Sequence, residues 1–201
     1  ARRTSYESLW GGVVLDGQLL KGSGAIIMLL RDMLLSKLSI LKQYDKVIIT
    51  RSDQLYFFDH PQLTANSDID IPIGEDWWGL TDRHHVVDSS IIETYLCIAK
   101  WWMQNIDFVE NSIEKHHNPE QLLALFFKTL SFKIIRTSRC MASVSLKEDL
   151  TRWKMATVPV PGYTDLLFKY PHEYFSHIKS SKKRLFGRRV KYTNNFDNLH
   201  Q

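Results

Sequence analysis

A chain of 201 residues can form one domain with a real core or two very small ones. An apolar share of 44% and a charged share of 24% are ordinary for a globular protein and exclude a disordered or collagen-like chain. The net charge of +4 is local: residues 179–191 hold seven Lys or Arg and no acid, so the rest is mildly acidic. That basic segment is either a solvated tail or a patch that attracts anions such as nucleic acid, phospholipid or a phosphate-rich ligand.

Two cysteines, Cys97 and Cys140, lie outside any CxxC spacing, which argues against a zinc-thiolate site and fits a reducing compartment, although two cysteines could still pair. No apolar run reaches the ~20 residues that span a bilayer. The Ala-Arg-Arg-Thr-Ser start lacks a signal-peptide core and an initiator Met, so a processed chain or a piece of a longer one is expected. The expected location is the cytoplasm.

Residues 1–23 read as irregular, punctuated by glycines. Apolar residues at helical spacing predict a core helix over 25–43: Ile26, Leu29, Leu30, Met33, Leu34, Leu38, Leu41. Lys46–Thr50 reads as a buried strand. Leu55–Phe58 is a second extended run, ended by His60-Pro61. Ile69, Ile71 and Ile73 alternate and predict a short strand with one face buried, with Pro72 at an edge or strand end. Residues 74–85 then form a loop, and Val86-Val87 a small strand. Ser89 or Ser90 is placed to cap a helix reaching about Gln104. Asn118-Pro119-Glu120-Gln121 is a strong helix start, with Asn as cap, Pro at the first helical position and Gln121 placed to complete a capping box. That helix should run to about Leu130, followed by strands at 132–135 and 141–146. Pro159, Pro161 and Gly162 mark a turn, and Pro171 opens a last helix over 172–179. Helices alternating with short strands predict an α/β fold with a mixed sheet in a single domain over 1–178, followed by a basic tail over 179–201.

Chemistry concentrates after the 46–50 strand. Asp53 stands at a strand end, where an oxygen ligand for a hard cation is well placed, or it is a turn aspartate. Arg51, two residues away, could hold a phosphate or fix that carboxylate. The second cluster is Gly74-Glu75-Asp76-Trp77-Trp78-Gly79-Leu80-Thr81-Asp82-Arg83-His84-His85. Glu75 and Asp76 are adjacent and should diverge. Trp77 and Trp78 offer faces for a sugar ring, or pack inward. Asp82, Arg83, His84 and His85 put an acid, a permanent cation and two imidazoles in four residues. Burial without purpose would be costly, so this stretch is expected to be exposed or functional. Arg152, beside Trp153, and Lys169, before Tyr170-Pro171, are further anion-binding candidates, as are Arg136 and Arg139. No P-loop, GxGxxG or GxSxG is present.

The order of these motifs resembles a group of glycosyltransferase-like proteins of large algal viruses, algae and some bacteria. It is carried by Tyr-Asp-x-Val-Ile-Ile-Thr-Arg-Ser-Asp, His-Pro, Ile-Pro-x-Gly-Glu-Asp-Trp-x-Gly-Leu-Thr-Asp-Arg-His-His-Val, Asn-Pro-Glu-Gln-Leu-Leu, Thr-Arg-Trp and Lys-Tyr-Pro, over roughly residues 44–175. The resemblance implies a Rossmann-like GT-A domain that binds a nucleotide-sugar, a UDP- or GDP-sugar, through Mn2+ or Mg2+. It implies transfer to a glycan or glycoprotein acceptor, in the host cytoplasm for a viral chain. In that fold an Asp-x-Asp motif chelates the cation against the donor diphosphate. Here the position reads Arg51-Ser52-Asp53, so Asp53 is the implied metal ligand and one acid of the pair is missing. Arg51, Arg83, His84, Arg152 and Lys169 would hold donor phosphates. Glu75, Trp77 and Trp78 would border the acceptor, and Asp82 or Asp76 would act as catalytic base, Asp82 first because Arg83 and His84 adjoin it. Such domains usually open with a nucleotide-binding strand–helix unit. Residues 1–23 do not read as one, so it is expected upstream of Ala1 or in reduced form. Two other readings compete: a metal-dependent phosphoesterase or nuclease using Asp53, Asp82, His84 and His85, and a non-catalytic module binding carbohydrate or nucleic acid through its tryptophans and basic patch.

Overall fold

The computed structural model describes residues 12–15, 18–21, 24–113, 118–148, 158–175 and 178. The chain forms two compact units, Ala1–Thr50 with Leu63–Arg136, and Arg51–Gln62 with Thr137–Gln201.

The first unit opens on β1 (Gly12–Leu15) and β2 (Gln18–Lys21), an antiparallel hairpin in which Leu15 pairs with Gln18. The expectation of irregular chain over 1–23 is therefore corrected at 12–15 and 18–21; the rest of that stretch lies outside the described residues. Two short apolar runs separated by Asp16-Gly17 are a hairpin signal in their own right. The expected 25–43 helix is divided into α1 (Gly24–Met33), a tighter turn over Leu34–Lys37 and α2 (Leu38–Leu41). Ser36 Oγ donates to the Met33 carbonyl at 2.9 Å, a local bond that competes with a continuous helical ladder.

Four strands make the sheet of this unit, in the order β3 (Lys46–Thr50), β6 (His84–Asp88), β5 (Ile69–Pro72), β7 (Ile134–Thr137). β3 is an edge strand, not the buried strand expected: Val47 is buried and Ile48 is half exposed. β5 lies inside the sheet and all four of its residues are buried, so its alternation does not mark one wet face. Pro72 ends it, where no ladder donor is needed. β6 runs antiparallel to β3 and to β5. The α/β class holds, but these registers differ from the parallel neighbours of a Rossmann-like sheet. Connections here are loops and turns, not crossover helices alone.

Ser90 does not cap a helix. Its amide and hydroxyl both donate to Asp88 Oδ1, at 3.0 and 2.6 Å, which closes a turn instead. The helical chain follows as α3 (Ile92–Leu96), α4 (Ile98–Gln104) and α5 (Ile106–Ser112), broken at Cys97 and Asn105. α6 (Pro119–Thr129) starts where expected: Asn118 Oδ1 accepts from the Gln121 amide at 2.7 Å. The reciprocal half of the capping box is absent, since Gln121 Oε1 is buried without a partner. Leu122, Leu123, Phe126 and Phe127 of α6 pack with Ile69, Ile71, Val87, Ile92, Tyr95 and Ile98 in the core of this unit. Each such side chain contributes roughly 1.5–3 kcal/mol on burial.

The second unit has the sheet order β4 (Gln54–Tyr56), β8 (Met141–Leu146), β10 (Leu166–Phe168), β9 (Val158–Pro159), with every neighbour antiparallel. Ala142, Val160 and Phe168 form its small core. Phe57, Phe168 and Tyr174 add a three-ring cluster with centroids 4.8–5.3 Å apart. Residues 171–175 are helical. No helix among the described residues is long and apolar enough to cross a membrane.

Candidate functional site

Chemistry-bearing residues fall into two clusters, one in each unit. In the second unit, Asp53 and Lys169 lie 116 residues apart and meet because β4 and β10 both pair with β8. Gln54 stands opposite Ser143 and Phe168 opposite Val144, so Asp53 and Lys169 leave their strands beside one row of β8. Backbone bonds fix both: Val144 donates to the Asp53 carbonyl at 2.9 Å, and Lys169 donates to that of Ser143 at 2.8 Å.

Asp53 is enclosed by cations. Arg51 grips it as a fork, Nε to Oδ1 at 3.0 Å and a terminal nitrogen to Oδ2 at 2.8 Å. Lys169 Nζ donates to Oδ2 at 2.8 Å, and Gln54 Nε2 reaches Oδ1 at 3.5 Å while holding Ser143 Oγ at 2.8 Å. Burial alone would push the carboxyl up; the bonds and charges of Arg51 and Lys169 outweigh it, and the pKa falls from 3.8 to about 2. Of the two roles open to Arg51, fixing the carboxylate is the one seen. The side chains of Arg51 and Lys169 remain 35% and 25% exposed.

This donor set does not fit Mn2+ or Mg2+. A hard cation needs several oxygen lone pairs at once, and both Asp53 oxygens already accept from cationic donors. Nor is there, among the described residues, a group of three or more His, Cys, Asp or Glu that could hold a metal ion.

The first unit carries the Gly74–His85 stretch. It is neither a solvated loop nor loop throughout: β6 begins at His84, and Asp82, Arg83, His84 and His85 are buried. Glu75 and Asp76 diverge toward different arginines. Glu75 Oε2 faces Arg83 at 3.4 Å with both side chains buried. Asp76 accepts from Arg136 through both oxygens at 2.9 Å and from the Thr81 amide at 3.1 Å. Arg136 also holds the Pro72 carbonyl at 2.8 Å. Asp76 thus ties the loop ends together, work that occupies the oxygens a catalytic base would use. Arg136, expected at an anion, serves this loop instead.

Trp77 and Trp78 are the outward part. Both have left-handed backbone, φ 42° and 66°, as does Glu75 at 56°. Each such residue costs roughly 1–2 kcal/mol, so the loop must be held from outside. Asn118 Nδ2 donates to the Trp77 carbonyl at 2.8 Å, and Leu80 donates to the Glu120 carbonyl at 2.9 Å. At Gly79 a Cβ would overlap the Glu120 carbonyl and the Gln121 nitrogen, so the loop touches the α6 start backbone to backbone. The two indoles stay 40% and 54% exposed, 6.2 Å apart, and Trp77 Nε1 donates to Glu75 Oε2 at 3.0 Å.

Beneath lies a buried polar network. His85 Nε2 is 2.6 Å from the Thr81 carbonyl, which can only accept, so Nε2 carries the proton and Nδ1 accepts from Tyr95 Oη at 2.8 Å. Burial, then the Arg31 charge, hold the His85 pKa well below 6.5, against the Thr81 bond. His85 is a neutral structural imidazole. Arg31 is buried too. It donates to the Asp82 carbonyl at 3.1 Å and lies 5.5 Å above the Tyr95 ring. Asp82 Oδ1 is buried without a partner, as is Arg31 Nε. Asp82, the first choice for catalytic base, therefore faces the interior of its unit.

His84 is buried and pairs in the ladder with Thr50; Arg83 turns inward to Glu75. Arg139, another expected anion site, instead makes a buried pair with Glu173 at 3.0 Å, whose second oxygen accepts from the Ser143 amide at 2.8 Å. Arg152, Trp153 and the 179–201 segment lie outside the described residues. Sequence reasoning missed Arg31 and Glu173. Neither belongs to a local motif, and only tertiary neighbours give them roles.

No protein family, curated protein or solved structure matches this chain.

Proposed function

We propose that the chain is a glycosyltransferase that takes a sugar from a nucleotide-diphosphate donor to a glycan or glycoprotein acceptor. The motif resemblance supports the reading, and one observation carries it furthest: the Trp77–Trp78 pair. Two large rings are held outward on a loop with three left-handed non-glycine residues, braced by Asn118, Arg136 and the α6 start. Such strain persists where surrounding structure enforces it, and it clusters at ligand sites. Exposed indoles offer flat apolar faces for the C–H faces of a pyranose, and Glu75 holds the Trp77 ring through its Nε1–H at 3.0 Å. A Rossmann-like GT-A architecture is the finer fold proposed with this function, in a form that departs from parallel pairing at β3, β6 and β5.

The test is turnover. Purified chain is incubated with a panel of UDP- and GDP-sugars and oligosaccharide acceptors, with and without Mn2+, and nucleotide release is followed. Release that depends on acceptor, and falls at least tenfold in Trp77→Ala or Trp78→Ala, supports the reading. If no donor is consumed and neither UDP nor GDP raises the melting temperature, the reading fails. The same tryptophan platform favours one second reading, a non-catalytic carbohydrate-binding module. It predicts tryptophan-dependent glycan binding without response to any nucleotide.

A further inference from the structure

We propose that Glu75 is a positioning residue for glycan recognition: its carboxylate, anchored inside the fold by Arg83, fixes the plane of Trp77 so that the tryptophan pair takes a pyranose by its C–H face. This rests on the reading that the tryptophans bind glycan, and it holds for a transferase and for a binding module alike.

Three observations carry it. First, one oxygen serves two neighbours. Glu75 Oε2 accepts from Trp77 Nε1 at 3.0 Å and faces a terminal nitrogen of Arg83 at 3.4 Å. The side chains of Arg83 and Glu75 are 4% and 5% exposed, whereas Trp77 is 40% exposed, so an interior ion pair holds an outward ring. Arg83 directly precedes β6, an inner strand, and the sheet thereby sets the ring orientation. Second, the backbone of Trp77 is fixed independently. Asn118 Nδ2 donates to its carbonyl at 2.8 Å while Asn118 Oδ1 caps α6. With backbone and ring both held, little rotamer freedom is left to lose when a ligand stacks. Third, the Nε1–H, the one donor of an indole, is committed to Glu75. A carboxylate on that N–H also polarises the ring and makes its face more electron-rich. Such a face favours C–H groups that carry partial positive charge. A pyranose with equatorial hydroxyls presents a continuous patch of them, and an axial hydroxyl interrupts it. Trp78, 6.2 Å away and tilted by 56°, gives a second wall.

Two measurements test this. Nitrogen–proton spectra of the indoles, with Trp77 assigned through Trp77→Phe, read the exchange rate of its Nε1–H. Glu75→Ala should raise that rate roughly tenfold or more, and Glu75→Gln, whose amide oxygen still accepts, should recover most of the protection. Isothermal titration reads recognition with two probes: cellohexaose, whose hydroxyls are equatorial, and β-linked mannohexaose, whose rings each carry an axial hydroxyl. The parent should bind cellohexaose the more tightly. Glu75→Ala should weaken that binding roughly tenfold and narrow the preference between the two glycans, and Glu75→Gln should restore most of both. Trp77→Phe keeps the Arg83–Glu75 pair and an aromatic face but removes the N–H, and it too should narrow the preference; it decides the matter if circular dichroism shows that Glu75→Ala does not fold. An indole exchange rate unmoved by Glu75→Ala, a preference unmoved once the ring is released, tighter binding of mannohexaose, or no binding of either glycan by the parent would each overturn the proposal. Glycan binding with this Glu75 dependence, but no consumption of any donor, leaves Glu75 in its role and removes the glycosyltransferase reading. Sugar transfer that is indifferent to Glu75→Ala and to Trp77→Phe does the reverse.

Discussion

Gly79→Ala isolates the contact that holds the tryptophan loop in place. The substitution adds one methyl group, and Gly79 does not have the positive φ that would itself penalise alanine. The cost is therefore steric. The new Cβ would meet the Glu120 carbonyl and the Gln121 nitrogen, all backbone atoms in the first turn of a helix, which cannot rotate away as a side chain would. The loop must instead lift off α6. Lifting breaks the Leu80–Glu120 bond of 2.9 Å and strains the Asn118–Trp77 bond of 2.8 Å, each contributing about 0.5–1.5 kcal/mol. Overpacking adds about 1–3 kcal/mol. A loss of about 2–4 kcal/mol is expected, and the melting temperature should fall by roughly 5–10 °C. Calorimetry measures the global loss, and hydrogen exchange at the Leu80 amide measures the local one. Gly162→Ala is the control: its φ is +82° with open space around it, so only backbone strain of about 1 kcal/mol applies. If Gly79→Ala melts within a degree of the parent and Leu80 stays equally protected, the loop is not held by this contact.

Three further outcomes follow from the same geometry. His85 is neutral in the fold with its pKa depressed, so below about pH 6.5 the unfolded chain binds a proton that the folded chain refuses; stability should fall by up to about 1.4 kcal/mol per pH unit there, and His85→Leu should flatten that slope in pH-dependent melts while costing stability at pH 7. Asp53 has its pKa depressed to about 2, so its contribution is present above pH 4 and is lost as pH falls toward 2; carboxyl NMR should place its midpoint near 2 and move it upward in Lys169→Met, and a midpoint near 3.8 in the parent would remove the two-cation enclosure. At position 78, with φ 66°, Trp78→Gly should be more stable than Trp78→Ala by about 1 kcal/mol, the reverse of the usual order in regular structure; chemical denaturation that ranks alanine higher contradicts the left-handed assignment.

Local chemistry made several elements legible. Asn118-Pro119 starts a helix because the Asn side chain satisfies an orphan amide and Pro lacks one, and both effects act within four residues. The strand at 46–50 ends where its β-branched run ends, and the crowding of charge after it was visible before any fold was known. Exposure was not legible. His84 and Ile48 look equally ready for either environment, yet His84 starts an inner strand and Ile48 faces outward from an edge strand. Helix continuity was misread at Cys97 and Asn105, where no proline or glycine marks the break.

By itself the sequence determined the helix start at Asn118, the strand at 46–50, the mixed α/β class and the two neighbourhoods of charge. These depend on caps, periodicity and composition, which act over a few residues. Tertiary structure alone decided what each charge is for. It set Lys169 on Asp53 across 116 residues, Arg136 on Asp76 across 60 and Arg139 on Glu173 across 34. An ion pair is decided by distance in space, and sheet register, not spacing along the chain, sets that distance.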